Sequence, residues 1–180
     1  MCTFHLTMER ADAVRGLARS VRPVLERFEC VDPVPESWLH LTMNGLGFAD
    51  EVPDDRLEAV ADEVFALWSS LDDPVLRFTH LFVGLEGATL VAERSDWLMA
   101  LARAQRAVID RLLGPREWGD FWPHVSLCYF NGPMDPGPLV GALAPVLDAV
   151  PDGVDVAPAL TLMRLGRDER VYTWEVLRRV

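Results

Sequence analysis

The stretch Trp38-Leu39-His40-Leu41-Thr42-Met43 is matched by a second one, Trp122-Pro123-His124-Val125-Ser126-Leu127. Both read Trp-x-His-apolar-Ser/Thr-apolar, and 84 positions separate His40 from His124. Side chains alternate along a β-strand, so a histidine and a hydroxyl two residues apart share one face. The apolar residues between them point the other way, into a core. If the two strands lie together, two imidazoles and two hydroxyls meet in one cleft, which equips it for acid–base chemistry on a phosphate.

Outward from these strands, the rest of the chain repeats at the same spacing. Residues 3–8 read as a strand. Residues 11–28 carry Val14, Leu17, Val21, Val24, Leu25 and Phe28 at helical spacing, with Pro23 predicting a break near Arg19 to Arg22. Asn44-Gly45 marks a turn or strand end. Residues 54–69 form the clearest helix, with Asp54 as its expected N-cap and Leu57, Val60, Ala61, Val64, Phe65 and Trp68 as its apolar stripe. A strand over residues 74–83 follows. A second cycle then begins: a strand at 88–92, a helix at 96–113, the His124 strand and a helix near 138–149. Strands at 157–165 and 171–178 close the chain, with a turn at Gly166 to Asp168. Shifted by 84, five elements of the first half fall on the second in order. The expected fold is α+β: one domain, residues 1–180, built by duplication. Two antiparallel sheets flanked by helices would form two pseudo-twofold-related lobes, approximately residues 1–86 and 87–180, about a central V-shaped cleft.

The composition is that of a globular protein, half hydrophobic and a quarter charged. No apolar run approaches the length of a membrane span, and the first residues lack the pattern of a signal peptide. Cys2, Cys30 and Cys128 are odd in number and widely spaced, which points to a reducing, cytoplasmic setting. The net charge of −11 argues against a groove tracking a long polyanion and for a small substrate. All 17 basic residues are arginine, which a GC-rich genome explains most simply. Monomer is the default reading.

The plain alternative for His40 and His124 is a pair of hydrogen-bonded strand histidines. Matching hydroxyls, matching tryptophans and matching element order weigh against it. Zinc takes three or four ligands, and no carboxylate or cysteine has ligand spacing to either histidine. Ser126 lacks a nucleophile-elbow context. His5 also begins a His-x-Thr pattern, but the shift lands it on Thr89, so it reads as a strand residue without a catalytic role. His80 falls on Arg164 and reads likewise as a strand residue.

The paired motifs in a duplicated α+β chain resemble the 2H phosphoesterase superfamily, and within it the bacterial 2′-5′ RNA ligase family. The terminal Tyr172-Thr173-Trp174 adds to the likeness. Ser126 stands where many relatives carry threonine, and the hydroxyl is kept. The resemblance spans nearly the whole chain. It implies a bilobal fold, no metal or other cofactor, and hydrolysis of a 2′,3′-cyclic phosphate on an RNA end or small nucleotide. The alternatives are action, hydrolytic or ligating, on 2′-5′ linkages or cyclic dinucleotides, and a non-catalytic nucleotide sensor.

The chemistry of the residues agrees. Phosphodiester hydrolysis needs a base for water and an acid for the leaving oxygen, and histidine serves either way near neutrality. Thr42 and Ser126 are expected on the non-bridging oxygens. Trp38 and Asn44, by strand parity with His40, and Trp122, by parity with His124, are candidates for substrate contact. Tyr172 and Arg164 complete the candidate set, Arg164 as a phosphate ligand.

Overall fold

The structure is a computed structural model and describes residues 1–8, 11–147, 153–166 and 173–180. Along the chain run β1 (Cys2–Thr7), α1 (Asp12–Leu25), β2 (Val31–Pro33), a 3₁₀ turn (Glu36–Trp38), β3 (His40–Gly47), α2 (Asp54–Ser69), β4 (Leu76–Val83) and β5 (Gly87–Ala92). They are followed by α3 (Asp96–Leu113), β6 (His124–Phe130), α4 (Pro136–Leu147), β7 (Val154–Val156), β8 (Ala159–Gly166) and β9 (Thr173–Arg179). The short strands β2 and β7 have no counterpart in the sequence reading. Among the described residues, no helix is long and apolar enough to cross a membrane.

The strands follow the order β7-β4-β5-β6-β3-β1-β8-β9, with β2 also on β6. All pairs are antiparallel. The two expected sheets are two halves of this path, joined where β3 meets β6 at the Leu41–Val125 pair. Outward from that seam, β3, β1 and β8 on one side match β6, β5 and β4 on the other, which is the order the 84-residue shift requires. Both seam residues are fully buried. They join Phe4, Leu6, Leu160 and Leu162 in the apolar layer under the helices, where Phe65 of α2 meets Phe4 edge to face with ring centroids 6.1 Å apart.

The boundary at residues 86/87 divides the repeat but not the two sheet halves. β4, from the first repeat, pairs with β5 and β7, whereas β8, from the second, pairs with β1. Each repeat thus lends its last strand to the other half. The helices are exchanged in the same way: α2 packs with α3, and α1 with α4.

Three local expectations differ from the structure. α1 continues past Pro23 to Leu25, because the proline lies in the last turn and little of the ladder follows it; the stripe Val14, Leu17, Ala18, Val21 and Leu25 stays buried. Pro53 is the N-cap of α2, and Asp54 is its first helical residue, near the positive end of the helix dipole. Asn44-Gly45 does not end a strand, since β3 runs through both to Gly47. β8 and β9 pair as the expected hairpin; its turn at Gly166 to Asp168 lies largely outside the described residues.

Candidate active site

The seam register sets the geometry of the site. With Leu41 opposite Val125 in an antiparallel pair, His40 lies beside Ser126, and Thr42 beside His124. Extended by one residue either way, that register makes these four positions the corners of a rectangle, with the histidines on one diagonal. In a regular ladder, diagonal neighbours are roughly 7–8 Å apart, which leaves room for a phosphoryl group between two imidazoles. All four line one cavity of about 720 Å³.

Each histidine is held by its own motif. His40 Nδ1–H donates to the Trp38 carbonyl at 2.8 Å, and His124 Nδ1–H donates to the Trp122 carbonyl at 2.8 Å. A carbonyl only accepts, so Nδ1 carries the proton in both rings and Nε2 is the nitrogen left for the cavity. Glu36, in the turn before His40, accepts from Arg15 Nε at 3.3 Å and Arg19 Nη1 at 2.7 Å, which ties that turn to α1.

The two rings differ in their surroundings. His40 is only 8% exposed, whereas His124 is half-buried. Burial holds His40 below the ordinary histidine range; the Trp38 carbonyl opposes this shift, and the neighbouring His124 adds to it. Trp122, 44% exposed, lies against His124 at 4.6 Å with a tilt of 33°, and Phe82 meets Trp122 edge to face at 5.6 Å. Leu85 and Tyr129 extend this apolar wall. Among the described lining residues, Glu86 is the one carboxylate and there is no arginine. Cys128 also lines the cavity, but burial pushes its thiol up to about 11, so it is protonated near neutrality. No group of three metal-ligating side chains occurs among the described residues.

The remaining candidates fall elsewhere. Asn44 is buried and faces α3: its Nδ2 donates to the Ala102 carbonyl at 3.2 Å and to Gln105 Oε1 at 2.8 Å, and Arg106 Nε donates to its Oδ1 at 2.9 Å. The cause is a β-bulge. Thr42 pairs with His5 but Gly45 pairs with Thr3, so β3 carries one extra residue and its parity changes after Thr42. β6 bulges at the matching place, between Ser126 and Cys128. Trp38 is in the 3₁₀ turn, not on the strand, and packs on Trp174 at 4.5 Å rather than lining the cavity. Arg164 shares the parity of Leu160 and Leu162; it pairs with Glu175 at 3.0 Å and does not line the cavity. Tyr172 lies outside the described residues.

Two residues at the site were not read from the sequence as part of it. Trp174 of β9 meets the His40 ring edge to face at 5.1 Å. His5 lies across from Thr42 on β1, fully buried, with its ring 4.6 Å from that of His40 at 84°. Its repeated His-x-Thr pattern was the available signal, but only the β1–β3 register shows that it shares the face of His40.

Two measurements check these placements. Asn44→Leu removes buried hydrogen bonds and leaves partners unpaired, so it is expected to lower stability by about 1–3 kcal/mol. Chemical denaturation of the variant beside the wild type checks it. Burial lowers the pKa of both His5 and His40 in the fold. Below about pH 6.5 the unfolded chain therefore binds more protons than the native one, and their contribution to stability is lost as pH falls toward the native values. Tm measured from pH 7 to about 5 should fall, while a flat profile would contradict this burial.

Several solved structures share this fold. TT0787 of Thermus thermophilus superposes with a TM-score of 0.74 at 22% identity, over 99% of this chain and 96% of that one. A protein described as a phosphoesterase gives 0.66 at 18%, over 99% and 96%. E. coli LigT complexed with 3′-AMP gives 0.65 at 17%, over 99% and 95%. No protein-family model matches the chain, and no curated protein matches it in sequence. The expected α+β fold is thus met across the whole length of these neighbours.

Proposed function

We propose that this chain is a phosphoesterase of the 2H type that hydrolyses 2′,3′-cyclic phosphates on small nucleotides or RNA ends. One observation carries the reading: two histidines on the diagonal of one antiparallel seam, each with Nδ1–H tied to a backbone carbonyl and Nε2 left for a shared cavity. A phosphoesterase and LigT with bound 3′-AMP among the fold neighbours support it.

Burial keeps His40 neutral, which fits it for the base. Its Nε2 takes a proton from water as the oxygen attacks phosphorus. On the far side the bond from phosphorus to a ribose oxygen breaks, and His124, as the acid, gives a proton from Nε2 to that oxygen. In-line displacement needs the two groups on opposite sides of phosphorus, which the diagonal provides. The Thr42 and Ser126 hydroxyls donate to the non-bridging oxygens.

Incubation with 2′,3′-cyclic AMP, a short RNA with a cyclic-phosphate end, a 2′-5′ dinucleotide and a cyclic dinucleotide tests the reading, with products separated by chromatography. Turnover of a cyclic phosphate supports it. Turnover of the linked dinucleotides alone moves the substrate to those bonds. Thermal stabilisation by a nucleotide without any product would make the chain a sensor.

A further inference from the structure

His5 is conspicuous because so little satisfies it. The residue is fully buried, and its ring nitrogens meet no side chain, only the backbone of Thr3 two residues back. An apolar ring in such a place is generally neutral or stabilising by comparison, because an unpaired buried polar group carries its full desolvation penalty. Its strand neighbours Phe4 and Leu6 show what β1 uses where only packing matters.

The surroundings of His5 are specific. Across the strands it faces Thr42 on one side and Thr161 on the other. Its ring contacts His40 in a T-shaped arrangement, and Trp174 contacts His40 in a second one. The Trp38 carbonyl fixes Nδ1 of the same ring. His40 is therefore held by two aromatic rings and one hydrogen bond, with Nε2 left for the cavity. Because His5 is fully buried, it does not touch a bound substrate.

We infer that His5 is a positioning residue for His40, a neutral imidazole that braces the ring and supports the positive charge it takes on during turnover. A neutral imidazole offers a neighbouring cation a ring dipole and a lone pair, and such polar groups count most where water is excluded. His5 remains neutral in that role: burial, and then the proximity of His40, hold it well below the ordinary histidine range, against the pull of the Thr3 backbone. The titratable groups acting on His40 are His124 and, through ring contact, His5; on His5 it is His40. The other side chains named here, Thr42, Thr161 and Trp174, do not titrate near neutrality.

The role in catalysis rests on the reading of His40 as a catalytic base, so the test has one arm that needs no turnover. His5→Phe keeps a planar ring and removes both nitrogens. Its Tm should equal or exceed that of the wild type. NMR titration of the His40 ring should move to lower pH, since the charged form loses a polar neighbour. With 2′,3′-cyclic AMP, kcat should fall about ten- to hundredfold with KM little changed, as for a displaced catalytic group. The acidic limb of the pH–rate profile should move down with the titration. An unchanged His40 titration and unchanged kcat would overturn the inference. A shifted titration in a protein that turns over no phosphodiester would leave His5 coupled to His40 and overturn the proposed function instead. Should the phenylalanine variant not fold, the wild-type titration decides: His5 staying neutral throughout the ordinary histidine range supports the role, and His5 gaining a proton within that range overturns it.

Discussion

His40→Ala and His124→Ala are each expected to lower kcat/KM for a 2′,3′-cyclic phosphate by about 10²- to 10⁴-fold, the usual contribution of a general acid or base. His40→Ala removes a buried ring beside His5 and Trp174 and is expected to cost stability as well, so its rate is read on folded protein. His124 is half-buried at a cavity wall, and the core residues beside the two histidines, Leu41 and Val125, are retained. On the proposed mechanism the losses appear mainly in kcat, because the hydroxyls of Thr42 and Ser126 and the apolar wall of Phe82 and Trp122 would still hold the substrate. On the same mechanism the double variant should be little worse than the poorer single one, since acid and base would act in one displacement. Steady-state kinetics on the three proteins, with circular dichroism to confirm folding, provide the check. Near-normal turnover by either single variant would remove that histidine from the chemistry.

The second large effect is on stability. Gly87 opens β5 and lines the cavity. A Cβ there would overlap the Cys128 carbonyl oxygen and come within 3.0 Å of its carbonyl carbon and 3.2 Å of Tyr129 Cα. These are backbone atoms of β6, which cannot retreat without disturbing the strand that carries His124 and Ser126. Gly87→Ala is therefore expected to destabilise the fold by about 3 kcal/mol or more. For a chain of this size that is a fall of roughly 6–12 °C in Tm. Gly119→Ala is the control, because nothing lies within 4 Å of a Cβ at that exposed position, and its effect should stay within about 0.5 kcal/mol. Equal melting temperatures for the two variants would mean that β5 and β6 are not packed this closely.

The parts of the site that the sequence disclosed were those governed by short-range rules. Alternation along a strand placed His40 with Thr42 and His124 with Ser126, and the 84-residue shift brought the two strands together. The same alternation failed at Asn44, because a single extra residue in β3 reverses parity and nothing local marks the bulge. Trp38 failed for a related reason: the strand begins at His40, and the tryptophan serves through its carbonyl, a group that any residue possesses. Arg164 was placed on the right strand but on the helix-side parity, where Glu175 meets it. His5 and Trp174 reach His40 only through the pairing of β1 with β3 and the position of β9 beyond β8. Those are long-range choices that no window of sequence displays. The exchange of β4 and β8 between the halves is of the same kind, since duplication fixes the order of elements but not which copy a strand joins.

If one cleft holds a histidine base and a histidine acid, kcat/KM for 2′,3′-cyclic AMP in excess EDTA should trace a bell against pH. EDTA should leave the bell intact, and its acidic limb should lie below the ordinary histidine range because burial lowers the pKa of His40. Turnover that vanishes in EDTA, or that shows no acidic limb, would contradict it.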